Sequence, residues 1–302
     1  DPKVRRDLKK GKPRFFEGGL PELLRDHLRN NFEVIDGFGQ TNLCDLYIIA
    51  VGTPVDLRQR PIVKYLENAC RTIGRVLRPG DAVILRSTVP IGTTRNVAIP
   101  AFEKASGLKA GKDFYVAFAP ERTAEGKALE ELRRLPQVIG GVDRVSAEVA
   151  AHFFNAITSH SIIVDSLEAA EVVKLINNTY RDVTFAFANE LSLVCQRWGI
   201  DTAKVIEAAN RDYERSRVPL PSPGVGGYCL KKDPYIFIAS ARRKGYTPLL
   251  AAHARRVSDA MIDLVGDKIL DFLKKSGRTS KNAKVCLMGL AFKGDPVTSD
   301  MR

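Results

Sequence analysis

The first third of the chain alternates short apolar runs with amphipathic stretches. Asp45-Leu46-Tyr47-Ile48-Ile49-Ala50-Val51 is nearly continuous in apolar residues and ends in Gly52-Thr53-Pro54. That is the pattern of a strand buried on both faces, followed by a turn. Asp81 to Leu85 repeats it before Arg86-Ser87-Thr88-Val89-Pro90, and Phe114 to Phe118 repeats it before Ala119-Pro120-Glu121. Residues 22–28 and 62–77 carry helical periodicity between them. Strands separated by helices, with polar residues at the strands' carboxyl ends, predict an open α/β sheet that binds ligands outside those ends.

The pattern changes near Asp165. Asp165-Ser166-Leu167-Glu168 reads as an aspartate cap with a glutamate at the third helical position. Helical periodicity then runs from Leu167 to Trp198, with Gly199 as a natural stop. Asp201 is placed to cap a shorter helix through Ala209, and a second long helix spans Pro248 to Lys275, interrupted only by Gly266. Lys284 to Leu290 reads as the opening of a new buried strand. The expected organisation is an α/β domain over 1–165, an all-helical domain over 166–277 and the beginning of a second α/β domain over 278–302.

Composition narrows the class. The 302 residues, 44% hydrophobic and 27% charged, suit a soluble globular protein of two domains or parts of three. No apolar run reaches the length of a membrane span. The five cysteines (Cys44, Cys70, Cys195, Cys229 and Cys286) are scattered, no Cys-x-x-Cys occurs, and the four histidines are dispersed. This argues against a disulfide framework or a metal site and for a reducing cytoplasm. The net charge of +12 suits anionic nucleotide substrates or nucleic acid. It is spread over pairs and triplets such as Arg133-Arg134, Arg242-Arg243-Lys244 and Arg255-Arg256, without interleaved aromatics. Solvated helix faces account for it better than a nucleic-acid groove.

Candidate chemistry centres on Pro221-Ser222-Pro223-Gly224-Val225-Gly226-Gly227-Tyr228-Cys229-Leu230-Lys231-Lys232-Asp233. A thiol behind a glycine-rich loop and ahead of a helix can sit where N–H groups and the helix dipole favour its thiolate. Asp233 follows one turn later. Cys229 is then a nucleophile, or else a cysteine packed beside a turn. Lys174 and Asn178 share a helix face, placed to stabilise an oxyanion or else simply exposed. Glu121 and Glu125, also four apart, read as a carboxylate pair supplying a base, or as the acidic first turn of a helix. Ser87 and Thr88 end a strand, where their hydroxyls can hold water or ligand, or only cap the loop.

Together these segments resemble the nucleotide-sugar 6-dehydrogenases, the family of UDP-glucose, GDP-mannose and UDP-N-acetylhexosamine dehydrogenases. The resemblance runs through Lys12 to Leu24, Val51-Gly52-Thr53-Pro54, Ser87 to Thr94, Pro120-Glu121-Arg122, Glu171 to Asn178 and Asn189-Glu190. It continues through Gly199-Ile200-Asp201, Gly226-Gly227-Tyr228-Cys229 and Gly289-Leu290-Ala291-Phe292-Lys293. It implies a Rossmann-like NAD-binding domain, a helical central domain that forms a homodimer core, and a second Rossmann-like domain. The implied reaction is a four-electron oxidation of a sugar C6 alcohol to a carboxylate with two NAD⁺, through a Cys229 thiohemiacetal and thioester.

By the same resemblance, Glu121 matches the base for thioester hydrolysis, and Thr88 and Asp233 match residues that hold water or assist proton transfer. Lys174 and Asn178 match groups that stabilise oxyanions and position the reacting carbon. Gly52, Thr53, Pro54, Ser87, Thr88 and Glu125 fall on the cofactor side; Gly226, Gly227 and Lys293 fall on the substrate side. The family's opening strand and Gly-x-Gly-x-x-Gly loop do not occur in this sequence, and neither does most of the third domain. A fragment that binds NAD⁺ poorly is therefore expected. Pro223 to Gly227, Asp233-Pro234-Tyr235 and Pro120-Glu121-Arg122 resemble the UDP-N-acetylmannosamine and UDP-N-acetylglucosamine branch, whose products feed surface polysaccharides. Lys231-Lys232 leans towards UDP-glucose. A two-electron hydroxyacid dehydrogenase of related plan is the more distant alternative and has no need of Cys229.

Overall fold

A computed structural model describes residues 2–37 and 44–288, which fall into two compact units, 2–175 and 176–288. The first is built on a five-stranded sheet in the order β1 (Leu46–Ile49), β2 (Ala82–Leu85), β3 (Tyr115–Phe118), β4 (Gln137–Gly141) and β5 (Ser161–Val164). The first three strands are parallel and in register, with Ile49 opposite Leu85 and Leu85 opposite Phe118. Their carboxyl ends therefore lie side by side. β4 runs antiparallel to β3 and parallel to β5, which brings Gln137 to that same edge.

The continuous apolar runs are explained by burial on both faces. Val83 and Leu85 pack against Leu66, Cys70 and Ile73 of α3 (Lys64–Gly74) and Phe102 of α4 (Ile99–Ser106). Ile84 and Ala117 point the other way, onto Ala147, Ala150 and Phe154 of α6 (Arg144–Asn155). The sequence pattern announced β1, β2 and β3 but neither β4 nor β5. In β4 the Gly140-Gly141 pair broke the apolar run, and the structure shows why glycine stands there. A Cβ on Gly140 would lie 2.1 Å from the Ser166 carbonyl oxygen, and one on Gly141 would lie 2.2 Å from that of Asp143. The remaining helices of this unit are α1 (Pro2–Lys9), α2 (Leu20–Asn30), α5 (Ala128–Arg134) and the start of α7 (Leu167–Arg197).

The second unit is helical as expected. It contains the rest of α7, then α8 (Thr202–Asn210), α9 (Asp233–Arg242) and α10 (Leu249–Lys275), which continues through Gly266. Gly199 closes α7 at φ 66°, a left-handed conformation that glycine adopts without strain. The Asp201 carboxylate caps α8 by accepting the amides of Ala203 and Lys204. Three expectations need correction. Ser166, not Asp165, caps α7, its hydroxyl accepting the Ala169 amide at 3.1 Å, while Glu168 is taken by Arg95 at 2.7 Å. Residues 284–288 form no strand and are exposed, because they have no neighbouring strand to complete a ladder among the described residues. Arg255 is not a surface charge: it is 4% exposed, on the buried face of α10 with Ala251, Ser258 and Met261.

Candidate active site

In the first unit the site is the row of loops leaving β1, β2 and β3. Gly52 is exposed; Thr53 is buried, and its hydroxyl has no hydrogen-bond partner among the described residues. Ser87 is buried 3.5 Å from the Ile49 carbonyl, and Thr88 beside it is half-buried. Glu121 ends β3 in a loop rather than a helix, since α5 begins only at Ala128, so the helical reading of Glu121 and Glu125 fails. The Glu121 carboxylate pairs with Arg86 and accepts the amides of Arg122 and Thr123 at 2.7 and 2.9 Å. Burial pushes its pKa up, but the Arg86 charge and the Thr123 amide outweigh it and hold the carboxyl below the usual range. Arg86 is fixed in turn by Gln137 at 3.0 Å and by the face of Phe154 at 4.8 Å.

Two further carboxylates shape these loops. Glu17, 4% exposed, accepts the Gly126 amide at 2.9 Å and so ties the loop carrying Glu125. Glu171, in the first turns of α7, accepts the amides of Gly92 and Thr94 at 2.5 and 2.8 Å and the Thr94 hydroxyl at 2.6 Å. It fixes the segment that follows Thr88. Burial pushes the Glu171 carboxyl up to about 6 in spite of those three donors.

In the second unit the Pro221–Leu230 segment wraps ahead of α9. Its glycines carry the turn: Gly224 and Gly227 have φ of 121° and 86°, where side chains are strained. Cys229 is exposed, which removes the reading of it as a packed core cysteine. Its carbonyl accepts the amides of Lys232 and Asp233 at 3.1 and 2.9 Å, so Asp233 stands one turn beyond it at the start of α9. Asp233 is fully buried. One carboxylate oxygen accepts Asn178 Nδ2 at 2.5 Å and the other accepts Lys232 Nζ at 2.6 Å. The Lys232 ammonium also lies 5.2 Å from the centre of the Tyr228 ring. Asn189, fully buried, accepts the Ser222 amide at 2.8 Å and holds the start of the segment.

Asn178 and Asp233 are thus brought together one turn beyond Cys229, and Glu121 and Thr88 lie on adjacent strand ends. Lys174 is half-buried one turn before Asn178 on α7. Gly226 is half-buried and Gly227 buried in the cysteine segment, while Lys293 lies outside the described residues. Of the other cysteines, Cys70 and Cys195 are buried, and Cys44 and Cys286 are exposed. The sequence reading did not single out Arg86, Glu17, Glu171 or Arg255 as site residues. Arg86 had a usable signal in its position directly before Ser87-Thr88, and Arg255 in its place on an apolar helical stripe.

No helix among the described residues is long and apolar enough to cross a membrane. Residues 1–158 match the UDP-glucose/GDP-mannose dehydrogenase family, NAD binding domain, and residues 168–260 match the central domain of the same family. UDP-N-acetyl-D-mannosamine dehydrogenase of Pyrococcus horikoshii is 34% identical over 296 residues, covering 95% of this chain and 69% of the relative. UDP-N-acetyl-D-glucosamine 6-dehydrogenase of Pseudomonas aeruginosa is 35% identical over 251 residues, covering 83% of this chain and 59% of the relative. Among solved structures, UDP-D-ManNAc dehydrogenase from Pyrococcus horikoshii superposes with a TM-score of 0.89 at 32% identity, covering 96% of this chain and 68% of that one. The native UDP-N-acetyl-mannosamine dehydrogenase Cap5O from Staphylococcus aureus gives 0.83 at 30%, covering 98% and 68%. The chain therefore spans between 59% and 69% of the length of these relatives.

Proposed function

This chain belongs to the UDP-glucose/GDP-mannose dehydrogenase family, and we propose that it carries the NAD-binding and central domains of an enzyme that oxidises C6 of a UDP-N-acetylhexosamine to the carboxylate. The observation that carries this reading is the buried Asn178–Asp233 pair one turn beyond the exposed Cys229. A nucleophile needs an accessible sulfur on a rigid base, and both are present in one turn. UDP-N-acetylmannosamine is the first choice of substrate, because relatives bearing that name or that of the N-acetylglucosamine sugar share a third of their residues with this chain.

NAD⁺ suits the strand-end loops of the first unit. The buried Thr53 hydroxyl has no hydrogen-bond partner among the described residues. Gly52, Thr53, Pro54, Ser87, Thr88 and Glu125 would hold the cofactor at the carboxyl ends of β1, β2 and β3. When bound, NAD⁺ supplies a hydride acceptor for each of two oxidations. This chain's residues do the rest. The Cys229 thiolate adds to the C6 aldehyde, giving a thiohemiacetal that loses hydride to become a thioester. Lys174 and Asn178 stabilise the oxygen as it gains charge. In the roles that the resemblance implies, Glu121, kept ionised by Arg86, is the base for thioester hydrolysis, which restores the thiolate, and Thr88 and Asp233 hold water or assist proton transfer. Gly226 and Gly227 leave room for the sugar, and Lys293 binds the nucleotide sugar.

The exposed side of α7 supports a homodimer. Ile176, Tyr180, Phe187, Val194 and Trp198 recur at spacings of 4 and 7 on one stripe and are all exposed. The reading of substrate is tested by comparing kcat/KM for UDP-N-acetylmannosamine, UDP-N-acetylglucosamine, UDP-glucose and GDP-mannose. A preference for either N-acetylhexosamine supports it, and a preference for UDP-glucose or GDP-mannose contradicts it.

A further inference from the structure

Arg255 is a cation with almost no solvent, placed where the sequence pattern calls for an apolar residue, and one of its bonds reaches the residue next to Cys229. Nη1 donates to Asp182 Oδ1 on α7 at 2.7 Å and to the Leu230 carbonyl at 3.1 Å. Nη2 donates to Asp259 Oδ1 at 2.6 Å, one turn further along α10. Asp259 accepts the Tyr235 hydroxyl of α9 at 2.6 Å through its other oxygen, and the Tyr235 ring centre lies 5.5 Å from the guanidinium carbon. One guanidinium therefore joins α7, α9, α10 and the residue that follows Cys229. Asp182 is fully buried, so its carboxylate depends on this arginine for its charge to be tolerated. A purely structural ion pair between α7 and α10 would not need the bond to Leu230. The two N–H groups of Nη1 serve Asp182 and the Leu230 carbonyl separately, and the second bond fixes the backbone of the residue that follows Cys229.

We infer that Arg255 is a positioning residue for Cys229: it clamps the Leu230 carbonyl against the α7–α10 pair, and so fixes the thiol ahead of α9. Asn189 holds the same segment at Ser222, eight residues from Leu230, so the cysteine is carried between two anchored points. The planar guanidinium is needed because it serves three acceptors in fixed directions, which a lysine ammonium cannot do from the same place. A thiol kept at the start of α9 gains from the N–H groups there; a loosened one loses that support. The inference rests on the reading of Cys229 as the nucleophile.

The test uses Arg255→Met and Arg255→Lys in the purified enzyme. Iodoacetamide labelling, resolved by peptide mass spectrometry, reports all five cysteines in one experiment. The inference predicts that Arg255→Met slows Cys229 alkylation by about threefold or more, with Cys44 unchanged and Cys195 on α7 still protected. It also predicts a fall in kcat of about tenfold, with KM for the nucleotide sugar within about twofold, because only the nucleophile is misplaced. Arg255→Lys falls between wild type and Arg255→Met on both measures.

Unchanged or faster Cys229 alkylation with Cys195 protected overturns the inference, as does unchanged kcat. If Arg255→Met exposes Cys195, the unit has opened and Arg255→Lys decides by the same two criteria. Cys229→Ala separates the two claims. If it keeps full turnover, the nucleophile reading itself fails; if it abolishes turnover while Arg255→Lys matches wild type, only the role of Arg255 fails.

Discussion

Asn178 on α7 donates to the buried carboxylate of Asp233, 55 residues away at the head of α9, at 2.5 Å. The bond ties α7 to the head of α9, one turn beyond Cys229, and the second Asp233 oxygen pairs with Lys232. Asp233→Asn keeps the shape but leaves the Lys232 ammonium buried without its counter-charge, an arrangement that costs about 3 kcal/mol. Urea unfolding of the variant should show that loss. NADH production should fall with it, and a variant as stable and active as wild type would mean that Asp233 does neither job.

Arg86 holds the Glu121 carboxyl below the usual range against the opposing effect of burial. With Arg86→Gln, the charge that favours the ionised form is gone, and Glu121 binds its proton at higher pH. The acidic limb of the kcat profile should therefore move to higher pH. An unmoved limb would show that Glu121 is not the group whose ionisation limits the reaction.

Glu171 behaves in the opposite way. Burial raises its carboxyl to about 6 even with the Thr94 and Gly92 donors in place, and Glu168 adds to the rise. The folded protein then holds this proton more tightly than the unfolded chain does, so the group's contribution is full below pH 4.5 and is lost as pH rises through about 6. Relative to Glu171→Gln, the wild type should lose about 1.5 kcal/mol between pH 4.5 and pH 6.5. Denaturation of both proteins at pH 4.5 and pH 6.5 measures it, and a pH-independent difference would refute it.

The apolar stripe on α7 gives a prediction about assembly. Phe187 is 56% exposed at its middle. Phe187→Glu places a charge where a second copy would pack, and sedimentation should show a monomer where the wild type is a dimer. A wild-type monomer, or a variant that remains dimeric, would remove this face as the contact.

Much of the architecture was legible because periodicity reports burial. β1, β2 and β3 are covered on both faces and read as apolar runs, and α7 and α10 declare themselves by length and spacing. β4 was hidden because Gly140 and Gly141, required by the close approach of Ser166 and Asp143, carry no apolar signal. The resemblance marked the Cys229 segment and Glu121, but not what holds them. Arg255 was counted among solvated charges and Arg86 was given no role, since a single arginine in sequence does not reveal which carboxylate will neutralise it. Only the fold brings Asp182, 73 residues away, to Arg255, and Glu121, 35 residues away, to Arg86.

The proposed reaction oxidises one sugar twice, the second time as a Cys229 adduct. The direct measurement is the yield of NADH from a limiting amount of UDP-N-acetylmannosamine with excess NAD⁺ on the purified enzyme. Two NADH for each sugar consumed, a carboxylate product, and loss of that yield in Cys229→Ala are expected. One NADH per sugar, or two with Cys229 removed, would contradict it.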